Sequence, residues 1–351
     1  MKKIASLLTL ALLGAVLSVS CSKMPDTASS QPATEQATLT VSLSGIDADI
    51  ATRASSTAEN SGDKTASSTQ IFIFDSSGNM LRKLNAAGSV TLSKGMVYTV
   101  SAVINGPDVT GSLSTIENSV ADLASNPFVM YGKTTADLSS AASASATVAV
   151  SSLASRVRLT TVTNGLPGAF GTLTLKRVYL CNVVAQNKLD GTSVTAWYNQ
   201  YGRKALATRI TANSLTGAVD SSTPAAASTF KSYDDQAVAN AASYTANAFF
   251  YCFPNALKTE FSSSVAASTE WSPQSTWITV CGSVGGTIYY WTTSIGAKLA
   301  SGLARNYSYD VALTINNLGT ADPGTPVTPG SASISVSVTP WQAGSEISET
   351  I

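Results

Sequence analysis

The sequence predicts an all-β chain: two antiparallel β-sandwiches, with an isolated alternating strand near each end. Three observations carry this. Short runs of alternating apolar and polar residues recur through most of the 351 residues, helical periodicity is nearly absent, and clusters of Gly, Asn, Pro and Ser split the runs. Val, Ile, Thr, Tyr and Phe dominate the runs, residue types suited to a pleated, half-buried surface. The length left after the leader and tether corresponds to about two domains.

Composition excludes several function classes. Only 12% of the residues are charged, against roughly 25% in ordinary globular proteins, so Ser, Thr, Asn, Gln and Gly must carry the surface. The 21 basic and 21 acidic residues cancel, which gives no electrostatic case for nucleic acid as a partner. There is no histidine, hence no imidazole-based triad, no His-ligated metal and no His pH switch. No Walker loop, dinucleotide fingerprint or lipase-type nucleophile elbow occurs. The expectation is a structural or binding protein, not an enzyme, with no cofactor and no metal.

Along the chain, residues 1–20 read as an export signal: Lys2 and Lys3, then an apolar run from Ile4 to Leu17, then small residues. Cys21 follows directly, which resembles a bacterial lipoprotein signal with an acylated thiol, although Ser18 stands where a Leu is usual. The alternative is an ordinary secretory peptide that ends beside a cysteine. Residues 22–37 are rich in Ser, Thr, Pro and Ala with no apolar period, a tether composition.

Strands are expected at 38–44, 71–81, 96–106, 146–150, 156–163, 171–184, 247–253, 275–282, 286–295, 307–315 and 333–338. A helix is expected within 113–126, where Leu113, Ile116, Val120 and Leu123 fall near helical spacing. The turn residues of 164–170 (NGLPGAF) mark a boundary between sandwiches at 54–164 and 165–351. Cys181, Cys252 and Cys281 lie in apolar runs, fit no zinc or redox spacing, and are expected as buried thiols, with a single bridge between two of them as the alternative.

Other chemical candidates are weak. Asp234-Asp235 reads as a solvated turn, and Asp75-Ser76-Ser77-Gly78-Asn79 as a hairpin turn that lacks the remaining ligands of a calcium loop. Trp197, Trp271, Trp277, Trp291 and Trp341 could line a glycan site, but core packing is the commoner fate of Trp.

The informative pair is Thr38–Ser44 (TLTVSLS) and Ser333–Thr339 (SISVSVT). Each carries three aliphatics on one face, Leu39, Val41 and Leu43 or Ile334, Val336 and Val338, with hydroxyl residues on the other. Flexible segments, 46–69 and the Pro/Gly-rich 318–331, tie them to the body, and Arg53-Ala54 lies within the first. A cut after Arg53 would let residues 21–53 leave, and a like strand from another copy could fill the vacated groove by strand addition. The pattern fits equally well two ordinary strands of one monomer.

Taken in order, LTVSLSG, TRA, IFIFDSSGNML, VYTVSAVING, NAFFYCFPNA, GLARNYSYDVALTI and ISVSVTPW resemble the fimbrillin family of Bacteroidales type V pili over nearly the whole chain. The resemblance implies two transthyretin-like sandwiches and a precursor lipidated at Cys21 and held in the outer membrane. It also implies cleavage at Arg53-Ala54 by an arginine-specific, gingipain-type protease, with Ile334, Val336 and Val338 forming a C-terminal donor strand. Implied partners are other copies and related pilus subunits, with a host or bacterial surface ligand for the fibre. Having both the cleavable arginine and the terminal strand favours a stalk subunit. A pilus tip adhesin, or a monomeric surface lipoprotein that binds glycan or host protein, is the alternative.

Overall fold

The computed structural model describes residues 35–45, 65–123, 125–126, 128–192, 197–198, 230–258, 275–321 and 332–340. Its first strands are β1 (Gln36–Ser44), β2 (Thr69–Phe74), β3 (Met80–Leu84), β4 (Gly88–Ser93) and β5 (Val97–Ile104). A short helix α1 (Leu113–Glu117) follows, then β6 (Val120–Asp122), β7 (Met130–Asp137), β8 (Ser143–Ala149) and β9 (Ser151–Ser152). A three-stranded sheet in the order β4-β1-β8 faces a five-stranded sheet in the order β3-β2-β5-β7-β9. Alternation explains the contact: Leu39, Val41, Leu92, Ala146 and Val148 meet Ile71, Ile73, Val100, Ala102, Ile104 and Met130 in one buried cluster.

The run IFIF in β2 is buried on both faces. Phe72 and Phe74, with Val103 and Tyr131, point away from that cluster into a second one that includes Ile116 of α1. Consecutive apolar residues in a strand are what two-sided burial requires.

The expected helix over 113–126 is one short turn. Ser112 caps it, its Oγ accepting from the Thr115 amide at 3.3 Å, and the Asn118 side chain donates to the Ser114 carbonyl at 2.8 Å as the helix ends. Val120, β-branched and better suited to a ladder, instead begins β6.

The later strands are β10 (Ser155–Asn164), β11 (Leu173–Cys181), β12 (Val183–Val184), β13 (Gln186–Lys188), β14 (Trp197–Tyr198) and β15 (Phe230–Val238). They continue with β16 (Ser243–Cys252), β17 (Trp277–Val284), β18 (Thr287–Ser294), β19 (Tyr307–Ile315) and β20 (Ala332–Pro340). Two four-stranded sheets, β16-β10-β19-β20 and β15-β11-β17-β18, share a core of Val157, Leu159, Phe250, Val311 and Leu313 with Leu175, Val178, Ile278, Val280 and Trp291.

Three features differ from expectation. β10 is hydrogen-bonded to β16 and β19, so the chain leaves the first pair of sheets at Leu153-Ala154, one strand before the turn residues at 164–170. That turn joins β10 to β11, fastened by the buried Asn164. Its amide donates to the Gly171 and Val238 carbonyls at 3.0 and 2.9 Å. The ladders are also not wholly antiparallel: β1 runs parallel to β8, and β10 to β19. Long intervening chain gives the crossover that a parallel pair needs. The run 171–184, expected as one strand, breaks at Asn182, whose φ of 52° is left-handed.

Candidate functional site

β1 is the middle strand of its sheet. It pairs antiparallel with β4, from Gln36 opposite Ser93 to Val41 opposite Gly88, and parallel with β8, from Thr38 opposite Ser143 to Ser44 opposite Ala149. Ala37, Leu39 and Val41 are buried beneath it at 3%, 0% and 2% exposure, and Leu43 is half-buried. The outer face is a hydroxyl ladder: Thr40 Oγ1 lies 2.9 Å from Ser89 Oγ, and Ser42 Oγ lies 2.9 Å from Thr147 Oγ1. Burial of the aliphatics stabilises the strand by about 1.5–3 kcal/mol for each large side chain. Its removal would leave β4 and β8 with unpaired edges on either side of an apolar trough.

Both ends of β1 are fixed. At the start, Lys94 Nζ meets the Glu35 carboxylate at 2.6 Å and holds it below the usual carboxylate range by hydrogen bonding and charge. At the finish, Gly45 has φ 90°, and a Cβ there would lie 2.2 Å from the Val150 carbonyl oxygen, so only glycine closes the turn.

β20 occupies the edge of its own sheet. It pairs antiparallel with β19, from Ala332 opposite Ile315 to Pro340 opposite Tyr307. Val336 is 4% exposed, Ile334 and Val338 are half-buried against the core, and Ser333, Ser335 and Ser337 face solvent. β1 therefore has two neighbouring strands and β20 one. Cys21 and Arg53-Ala54 lie outside the described residues.

The flanking strands of β1 were only partly legible. The residues 146–150 alternate clearly, whereas Gly88–Ser93 (GSVTLS) offers only Val90 and Leu92 as alternating apolar residues between turn residues on both sides, too few to predict a strand.

The remaining candidates resolve into structural roles. Asp75 is a turn residue: its Oδ1 accepts from the Ser77 and Asn79 amides, each at 2.9 Å, and its Oδ2 from Asn79 Nδ2 at 3.0 Å. These bonds, that to the Asn79 side chain foremost, lower its pKa. Asp234 and Asp235 sit in an irregularity of β15 and not in a turn between strands, with Lys176 Nζ 2.7 Å from Asp235. Among the described residues no group of His, Cys, Asp and Glu could hold a metal ion. Trp277 and Trp291 are buried, Trp291 donating its Nε1–H to the Asn317 carbonyl at 2.9 Å. The side chain of Trp197 lies outside the described residues, as do Trp271 and Trp341.

Cys181, Cys252 and Cys281 are free and buried. Burial pushes the thiols of Cys181 and Cys252 up to about 12, and that of Cys281 in the same direction. A thiol in the unfolded chain titrates near ~8.5. The unfolded state thus gives up protons that the folded state keeps, so this contribution is full below about pH 8.5 and is lost as pH rises towards about 12. Urea midpoints should hold steady from neutral pH to pH 8 and fall steeply above it. A thiol reagent at pH 8 should react with none of the three until the chain unfolds.

No protein-family model matches the sequence, and no curated protein matches it by sequence. Solved structures match over most of the chain. A proposed cell adhesion protein from Bacteroides eggerthii aligns with a TM-score of 0.57 at 18% identity, covering 88% of this chain and 96% of that one. A proposed cell adhesion protein from Parabacteroides distasonis gives 0.57 at 14% identity, covering 88% and 100%. A fimbrilin from Porphyromonas gingivalis gives 0.55 at 16% identity, covering 90% and 99%. The chain has the fold of the Bacteroidales fimbrilins and of the structures proposed to serve cell adhesion.

Proposed function

We propose that the chain is the precursor of a structural pilus subunit, displayed at the cell surface and assembled by strand exchange. The observation that carries this reading is the seat of β1, the strand nearest the N-terminus among the described residues and yet the middle strand of its sheet, flanked by β4 and β8. In this scheme Cys21 carries the lipid that holds the precursor in the outer membrane. An arginine-specific protease cuts at Arg53-Ala54, residues 21–53 leave with Leu39, Val41 and Leu43, and the β4–β8 trough opens. β20 of another copy then inserts Ile334, Val336 and Val338. A donor strand that leaves β19 exchanges a one-sided ladder for a two-sided one, which favours transfer. Adhesion is then a property of the fibre, and catalysis has no part in it.

The stalk role needs both devices, a removable β1 and a donatable β20. One observation favours a second reading: β20 completes its own sheet, as it would in a tip subunit that donates to no one. Truncation after Gly330 separates them. A stalk subunit so shortened should still accept a donor and cap fibres but fail to extend them, giving short fibres by electron microscopy. Fibres of normal length would make it a tip subunit. Retention of full surface-binding activity by a chain that never polymerises would favour the monomeric lipoprotein.

A further inference from the structure

We infer that β20 of a second copy enters the β4–β8 trough in one direction and one register, with Ala332 in the place of Ala37 and Thr339 in the place of Ser44. This inference rests on the strand-exchange reading above. Period-two alternation cannot by itself decide it, because a reversed strand, or one shifted by two residues, also turns its aliphatics inward. The ends of the strand and the packing under it do decide.

Ala37 is buried at 3% exposure opposite Leu92, so that place takes a small residue. In the forward direction Ala332 fills it, and Ile334, Val336 and Val338 then fall where Leu39, Val41 and Leu43 lie. Reversal about the centre of the strand brings Pro340 to that place, which removes a donor from the ladder. A shift of two one way sets Ile334 against Leu92, an overpacked contact; the other way it sets Ala332 in the place of the fully buried Leu39, leaving a cavity.

The outer face agrees. Forward and unshifted, Ser335 takes the place of Thr40 opposite Ser89, and Ser337 that of Ser42 opposite Thr147, so both hydroxyl contacts of 2.9 Å can form again. Pro340 then coincides with Gly45. Its φ is held near −65° and cannot follow a turn with φ 90°, so the donor ladder ends at Thr339.

Cysteine pairs on exposed hydroxyl positions test this in the full chain. Ser89→Cys is combined in turn with Ser333→Cys, Ser335→Cys and Ser337→Cys, and separately Thr147→Cys with Ser337→Cys or Ser335→Cys. Each protein is cut with an arginine-specific protease, allowed to assemble, oxidised and boiled in detergent. The pairs 89/335 and 147/337 should give ladders that survive boiling and collapse with reductant; the others should fall to monomer. Ladders from 89/337 and 147/335, or from 89/333, would overturn the register while leaving exchange intact. If every variant forms heat-sensitive ladders but no pair cross-links, β20 is not in the trough, and both the register and the exchange reading fall. The two acceptor positions lie on different strands, so misfolding of one variant leaves the other to decide.

Discussion

Arg53→Ala should leave the precursor folded and abolish fibre formation. While the chain between β1 and β2 is unbroken, β1 competes for its seat as an intramolecular ligand. Tethering through a short segment commonly raises apparent affinity by about 10²–10⁴-fold without any new contact. A donor strand from another copy, of the same chemical pattern, has no such advantage and loses. Cleavage removes the tether, and once residues 21–53 diffuse away the trough is free to accept a strand. The substitution lies in a tract of the sequence with no apolar period, so unfolding by urea should match the parent. Polymer yield, read as heat-sensitive ladders on unboiled gels, should fall at least ~100-fold.

Val41→Asp should do the reverse. Val41 is 2% exposed in the cluster formed by Ile71, Ile73 and Val100, with no cation among the members of that cluster. A carboxylate forced into such a place without a partner destabilises by about 3–5 kcal/mol, a loss comparable to what the aliphatics of β1 contribute together. The strand should leave its seat while still attached. Combined with Arg53→Ala, the variant should therefore recover ladders without proteolysis, by exposing the trough that the uncut parent keeps filled. A soluble, fully monomeric double variant whose β1 amides have lost their protection from hydrogen exchange would show that β1 does not control access.

What the sequence made legible, and what it did not, follows from the range of the interactions concerned. Alternation is local, so the strands around Ile71, Val100, Leu313 and Val336 could be read directly, as could the turn at Asp75. β15 is not legible in the sequence because FKSYDDQAV is polar along most of its length, with its ladder on one side only. β7 is similar, since Lys133 to Asp137 carry few apolar residues. The helix expected over 113–126 was shortened by a pairing that spacing cannot reveal: Val120 is drawn opposite Lys188. The misplaced boundary has the same origin. Asn-Gly and Pro-Gly correctly mark a loop at 164–170, but which strands β10 joins is decided by partners in β16 and β19, far along the chain.

The candidate site was legible in part for the same reason. The like patterns of β1 and β20 are visible in the sequence. That β1 has two neighbours and β20 one is not, because it depends on Gly88–Ser93 and Ser143–Ala149 closing around β1 from both sides.

On the strand-exchange reading, β1 is a removable occupant of its own fold. The most direct measurement is the amount of the β1 segment left in assembled fibres. Fibres grown from cut precursor are washed free of soluble peptide, dissolved by boiling, and analysed by quantitative mass spectrometry for a peptide spanning Glu35 to Gly45 against one from β5. On that reading the β5 peptide is present in every subunit and the β1 peptide is absent. Equal amounts of the two would mean that fibres form with β1 still seated, and would contradict it.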